Sequence, residues 1–210
     1  AVGVCLERSL EMPISLLAIL KAGGAYLPLD PDYPADRLAI MIEDSQPAAI
    51  LSVRSLTEHL PADASSVLLL DEEADSLTSE PATNPELRND PLDVSYILYT
   101  SGSTGKPKGL RHNHRGICNV ILCLQDRHSL TTEDRYLQKT PYSFDMSVYE
   151  FFWTLTTGAR LVMARPGGQK DPGYLVDVIA ECQITSITFV PSMLSIVLRE
   201  EDVERCRGLR

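Results

Sequence analysis

Val94-Ser95-Tyr96-Ile97-Leu98-Tyr99 runs directly into Thr100-Ser101-Gly102-Ser103-Thr104-Gly105-Lys106-Pro107-Lys108-Gly109. The first six residues read as a buried strand. The next ten combine hydroxyl side chains, glycines and lysines. Glycines let backbone N–H groups approach an anion without steric cost. The hydroxyls of Thr100, Ser101, Ser103 and Thr104 add donors, and the lysines add charge. Thr100 and Thr104 are also the candidate hydroxyls for a bound Mg2+. The loop is neither G-x-x-x-x-G-K-[ST] nor G-x-G-x-x-G, because Gly102 and Gly105 are too close and Pro107 follows Lys106. An ordinary Ser/Gly turn is the bland alternative. The strand before the loop and the lysines after it favour phosphate.

Outward from the loop, strands and helices alternate. Short extended runs are expected at Val2–Leu6, Ala25–Leu29, Ala48–Val53, Val67–Leu70, Arg135–Lys139, Ala159–Ala164 and Ser186–Val190. Between them fall helical patterns. The first is capped by Ser9 and carries Leu10, Ile14, Leu17 and Leu20 at helical spacing, and Gly23-Gly24 stops it. Another starts at Pro34 or Asp36 with Leu38, Met41 and Ile42 inward, after which Leu56–Leu60 reads as a weak helix. His114–Leu124 places Ile117, Val120, Ile121 and Leu124 on one side. Val148–Leu155 is helical, with Gly158 as its stop. Further helices begin at Asp171 or Pro172 and at Pro191, the last with Met193, Leu194 and Val197. Residues 71–92 are acidic and proline-bearing, and read as a long surface loop. The pattern predicts an α/β fold with parallel-rich sheets flanked by helices.

Composition narrows the function classes. The 210 residues include 19 Lys and Arg against 29 Asp and Glu, a net charge of −10. A nucleic-acid surface needs a basic patch, so no nucleic-acid partner is expected. No apolar run reaches the ~18 residues of a membrane helix, and no signal peptide is recognisable, so a cytoplasmic protein with no membrane association is expected. Five cysteines without a CxxC pair suit a reduced compartment. His112, His114, Cys118 and Cys123 fit no common zinc spacing. Cys118 and Cys123 are expected instead to be buried small hydrophobes of an amphipathic helix. The chain opens inside a strand and closes on Arg205–Arg210 without a terminating element, so a segment of something longer is expected.

Asp145 lies in the most aromatic region, among Tyr142, Phe144, Met146, Tyr149, Phe151, Phe152 and Trp153. A buried carboxylate there needs a partner. A helix N-cap or a surface position are the other readings for Asp145, although Ser147 can serve as that cap itself.

Tyr99–Gly109, YTSGSTGKPKG, resembles the signature loop of the adenylate-forming superfamily, which includes acyl-CoA synthetases, luciferases and the adenylation domains of nonribosomal peptide synthetases. Leu20–Asp30, LKAGGAYLPLD, and Lys139–Glu150, KTPYSFDMSVYE, resemble motifs of the peptide-synthetase adenylation domains. His114-Arg115-Gly116 and Phe189-Val190-Pro191-Ser192 fit as well, so the resemblance covers essentially the whole chain. It implies that residues 1–210 are a partial AMP-binding domain, lacking the C-terminal subregion and the small mobile lid domain. It implies activation of a carboxylic acid by ATP and Mg2+ to an acyl-adenylate and pyrophosphate. Transfer to a phosphopantetheine thiol on a carrier domain follows, in a synthetase that also holds condensation domains.

By the same resemblance, Thr100, Ser101, Gly102, Ser103, Thr104 and Gly105 clasp phosphate, and Lys108 matches the motif's lysine. Asp145 would bind the α-ammonium of an amino acid. Phe144, Met146, Tyr149 and Thr188 would line the substrate pocket. Tyr149 stands where tryptophan is often found, and the set implies a small or medium uncharged side chain. The family's adenine, ribose and lid-lysine motifs are not found in these residues, so the chain alone is expected not to complete catalysis. Two alternatives are an acyl- or aryl-CoA synthetase-type ligase and a non-catalytic nucleotide-binding module.

Overall fold

The computed structural model describes residues 1–62, 64, 66–87, 89–101 and 106–210, with backbone only at Ser101. The chain divides into two compact units, Ala1–Cys118 and Asn119–Arg210.

The first unit is built on a six-stranded sheet. In chain order it holds β1 (Val2–Val4), α1 (Glu11–Lys21), β2 (Tyr26–Pro28), α2 (Ala35–Ser45), β3 (Ala49–Ser52), a 3-10 turn at Arg54–His59, β4 (Val67–Leu69), α3 (Ala74–Thr78), β5 (Val94–Ser101) and β6 (Pro107–Asn113). Strand order is β4-β3-β1-β2-β5-β6, with every pair parallel except β5–β6. Such parallel strands need crossover connections, and α1 and α2 supply two of them. Leu27, Leu29, Leu38, Met41, Ile50, Ile97 and Tyr99 form the core. The α/β expectation and the inward face of α2 hold.

The predicted face of α1 does not. Leu10 and Ile14 are 68% and 63% exposed, whereas Met12, Leu16 and Ile19 are buried. Both sets recur at helical spacing, because this helix is apolar over most of its circumference. The sheet, not the period, selects the face. Ser9 does not cap it either. Leu10 occupies the N-cap with no side-chain bond, and Ser9 bonds the Glu11 carboxylate instead. Residues 71–92 are mostly exposed, as expected, but carry the short helix α3.

Helix α4 (His114–His128) crosses the boundary between the units. The second unit continues with β7 (Arg135–Gln138), α5 (Asp145–Thr157), β8 (Arg160–Met163), a 3-10 turn at Gly168–Lys170, α6 (Pro172–Glu181), α7 (Pro191–Val197) and a 3-10 turn at Val203–Cys206. β7 and β8 pair in parallel. Gly158 ends α5 at φ 75°, a left-handed position that favours glycine. Asp171 caps α6 by accepting from the Tyr174 amide, with Pro172 opening the helix. One core gathers Leu137, Ala164, Leu175, Ile179, Ile184 and Val197. A smaller one holds Leu130, Tyr136, Trp153 and Ala159.

The strand expected at Ser186–Val190 is reduced to a single parallel bridge between Ser186 and Tyr136. Leu137 donates its amide to the Ser186 carbonyl. In a continuing parallel ladder the Thr188 amide would donate next, to the Leu137 carbonyl, and the Lys139 amide after it, to the Thr188 carbonyl. Neither bond forms, and the Lys139 amide donates to the Glu150 carboxylate at 3.2 Å.

Asp134 secures the start of β7. Its side chain is 1% exposed and accepts from the amide and hydroxyl of Thr131, from the Thr185 hydroxyl and from the Arg210 guanidinium. Burial alone would raise its carboxyl, but the donors from Arg210, Thr185 and Thr131 outweigh it and hold it well below the usual carboxylate range. A depressed folded-state pKa gives stability that is present above the unfolded value of about 3.9 and lost as pH falls below it. Asp134→Asn should therefore cost about 1–3 kcal/mol near neutral pH. The gap to wild type should narrow below about pH 4, measured by urea unfolding with the fluorescence of the single tryptophan, Trp153.

Candidate functional site

The signature loop joins two antiparallel strands. Sequence reading passes from the loop to the helix at His114 and misses β6, because Lys108, Gly109, Leu110 and Arg111 are all exposed and carry no apolar alternation. β6 is an edge strand whose register sets Tyr99 opposite Gly109, Thr100 opposite Lys108 and Ser101 opposite Pro107. Directly opposed residues send their side chains from the same face. The Thr100 hydroxyl and the Lys108 ammonium thus leave one face of the hairpin together, and both residues are exposed. Gly102, Ser103, Thr104 and Gly105 lie outside the described residues, as does the Ser101 side chain.

Tyr99 fixes this hairpin from below. Its hydroxyl donates to Asp44 Oδ2 at 2.5 Å, at the end of α2. Burial, with the Asp44 carboxylate as the next cause, pushes the phenol above its ordinary value. The ring covers Gly109, where an added Cβ would lie 3.0 Å from Tyr99 Cζ. Alongside, Tyr96 stacks between Tyr26 and His112, with centroids at 5.4 and 4.5 Å.

In the second unit, α5 presents the other predicted residues. Phe144 is its N-cap and makes no side-chain cap bond. Asp145 is therefore the first helical residue and not the cap. Its Oδ1 accepts from the Met146 amide at 2.8 Å. Ser147 is not the cap either: it is buried one turn in and donates back to the Phe144 carbonyl at 2.6 Å. Phe144, Asp145 and Met146 are exposed, so the carboxylate avoids the cost of burial and sits at the positive end of the helix. Tyr149 follows one turn later on the same side. Burial and, second, the Asp145 charge raise its phenol above the ordinary value.

Thr188 stands on the segment after the Ser186 bridge. Its hydroxyl shares a short hydrogen bond with that of Tyr136, whose phenol is pushed up to about 12 by burial, with the Glu150 charge adding to the rise. Phe144, Asp145, Met146 and Tyr149 are thus gathered in the opening turns of one helix, and Thr188 is placed on a second segment. The hairpin residues belong to the other unit.

Sequence reading overlooked Glu150, the last residue of the KTPYSFDMSVYE motif. It is 0% exposed. Oε2 accepts from Gln138 Nε2, the Lys139 amide and the Thr140 amide at 3.0, 3.2 and 3.0 Å, and Oε1 accepts from the Thr140 hydroxyl at 2.7 Å. Burial raises its carboxyl above the ordinary value despite these donors. A glutamate flanked by Tyr149, Phe151 and Phe152 was the one available signal, since a charge in so apolar a helix must find partners.

Cys118 and Cys123 lie on α4 but are exposed, contrary to the burial expected, because they fall off the Ile117–Ile121–Leu124 stripe. Among the described residues no group of three or more His, Cys, Asp or Glu is arranged to hold a metal, and no helix is long and apolar enough to cross a membrane.

The geometry defines an α/β protein with a threonine–lysine hairpin on a parallel-rich sheet, and a separate helix N-terminus bearing an open carboxylate. Comparison with known proteins gives the class. The model of the AMP-binding enzyme family matches residues 1–210, and the chain belongs to that family. It is 43% identical over 209 residues to tyrocidine synthase 3 of Brevibacillus parabrevis, covering 100% of the chain and 3% of that protein. It is 46% identical over 198 residues to the phosphinothricin tripeptide synthetase PhsB of Streptomyces viridochromogenes, covering 94% and 17%. The chain thus spans a small part of these relatives. Among solved structures, the nonribosomal peptide synthetase FmoA3 with α-methyl-L-serine-AMP bound matches with a TM-score of 0.89 and 30% identity, covering 100% of this chain and 23% of that one. The four-domain nonribosomal peptide synthetase AB3403, bound to AMP and glycine, matches with a TM-score of 0.79 and 32% identity, covering 95% and 14%.

The Tyr99 ring, held by Asp44, cannot yield freely to a methyl group on Gly109. Gly109→Ala should cost about 1–3 kcal/mol. Truncating its exposed neighbour, Leu110→Ala, should stay within about 0.5 kcal/mol, both compared by circular-dichroism unfolding.

Proposed function

We propose that this chain is part of an adenylation domain that activates an α-amino acid with ATP. The substrate carboxylate attacks the α-phosphorus. The bond to the bridging oxygen breaks, and pyrophosphate leaves from an aminoacyl-adenylate. The nucleophile is already ionised, so positioning and charge neutralisation carry the reaction rather than a general base. On the hairpin, Lys108 and Thr100 would meet phosphate oxygens, together with Ser101, Gly102, Ser103, Thr104 and Gly105. Mg2+ would supply further neutralisation of phosphate charge, and an exposed Thr100 hydroxyl beside Lys108 fits a site facing that ion, with Thr104 as the other candidate.

The observation that carries the reading is Asp145. An exposed carboxylate in the first turn of α5, among Phe144, Met146 and Tyr149, suits an ammonium group next to an uncharged side chain. A fatty or aryl acid has no cation to place there. The bound aminoacyl-adenylate of FmoA3 and the glycine and AMP of AB3403 support the same reading. Thr188 would line the pocket with Met146 and Tyr149, favouring a small or medium uncharged amino acid. The acyl group would then pass to the phosphopantetheine thiol of a peptidyl carrier domain, beside condensation domains, in a cytoplasmic synthetase without nucleic-acid or membrane partners.

The test is ATP–pyrophosphate exchange by the protein that contains this chain. Amino acids should drive it. Exchange driven by fatty or aryl acids alone, or no exchange with any acid, would overturn the reading. Asp145→Ala should lower kcat/KM for the amino acid by about a hundredfold, on the scale of a lost hydrogen bond between charged groups, while ATP still binds. Lys108→Ala should instead raise the ATP requirement and slow exchange for every amino acid alike.

A further inference from the structure

The first turn of α5 has no side-chain cap, yet it carries the exposed Asp145. What orients that turn is the buried face of the same helix. Glu150 lies five residues on from Asp145, and residues 138–140, the end of β7 and the turn after it, give it four hydrogen bonds. Three of them converge on one oxygen. This arrangement resists both rotation and sliding of α5 against β7.

The same carboxylate acts on the Thr188 segment. It holds the Lys139 amide, on the edge of β7 that faces this segment, just beyond the bridge to Ser186. Thr188 is left in irregular backbone, tied by its side chain to Tyr136. The Lys139 ammonium lies 4.9 Å from the centroid of the Phe189 ring, so the residue that gives Glu150 its amide also packs against the neighbour of Thr188. One buried carboxylate therefore sets two segments, the one with Asp145, Met146 and Tyr149 and the one with Thr188.

We infer that Glu150 is a positioning residue for the amino-acid site, fixing the helix that presents Asp145 and the strand end that presents Thr188. The inference rests on the reading of Asp145 as the ammonium ligand. The residue type follows from the donors. An apolar side chain would leave the donors of residues 138–140 without their acceptor and free α5 to shift on the end of β7. A glutamine keeps the oxygen on which three donors converge. Its amide group then faces the Thr140 hydroxyl, which can turn to accept.

The test uses exchange kinetics of the protein that contains this chain, varying amino acid and ATP separately. Glu150→Ala should lower kcat/KM for the amino acid by about a hundredfold, the scale of an ångström-sized misplacement of a binding group. The KM for ATP should stay within about twofold, because only the amino-acid site has moved. Glu150→Gln should restore kcat/KM for the amino acid to within about fivefold of wild type. Thr140→Val, which removes a single hydroxyl donor, should raise the amino-acid KM by about fivefold with ATP unaffected. The inference is overturned if Glu150→Ala and Thr140→Val leave amino-acid kinetics unchanged, if they impair ATP and amino acid equally, or if Glu150→Gln is as defective as Glu150→Ala. A wild-type protein that exchanges with no amino acid overturns both this inference and the reading of Asp145. Wild-type exchange with insensitive variants overturns this inference alone.

Discussion

A carboxylate with no exposed surface governs the second unit. Burying Glu150 would be costly if it lacked donors, and residues 138–140 supply four. The need to satisfy one charge settles where α5 lies on the end of β7 and the turn after it. The residues proposed to meet the substrate stand at the edges of that arrangement. Asp145 among them is open to solvent.

The first unit solves a related problem with an edge strand. A loop proposed to offer backbone amides to an anion needs holding at both ends. β5 is paired on both sides, with β2 and β6, and Tyr99 ties it to α2 through Asp44. β6 returns the chain alongside it, which places Lys108 against Thr100. The two halves of the signature are thus neighbours across a ladder rather than successive points on a strand–loop–helix path. Gly109 is small because the Tyr99 ring occupies the space above it.

Much of this was legible in advance. Alternating apolar runs and helical periods gave the α/β class, most strands and the face of α2. The glycine loop and Asp145 stood out by chemistry, and the motifs around them pointed to the family. The misses have physical causes. β6 is exposed and polar, so no period marks it. α1 has two apolar stripes, and only the sheet chooses Met12, Leu16 and Ile19. Caps at Ser9, Asp145 and Ser147 were plausible by residue type, but the N-cap positions fall on Leu10 and Phe144 instead.

The sequence by itself determined which chemical groups are present and at what separation along the chain: the hydroxyls and lysines near residue 100, the carboxylate at Asp145, the apolar content of each element. Local spacing carries that information because helix and strand periods are set by the backbone. Only the tertiary structure decided which groups oppose one another. Thr100 faces Lys108 through an antiparallel register, and the Lys139 amide at the end of β7 goes to the Glu150 carboxylate rather than to a neighbouring strand. Those outcomes depend on competition between distant donors and acceptors for the same partner, and no period in the chain encodes the winner.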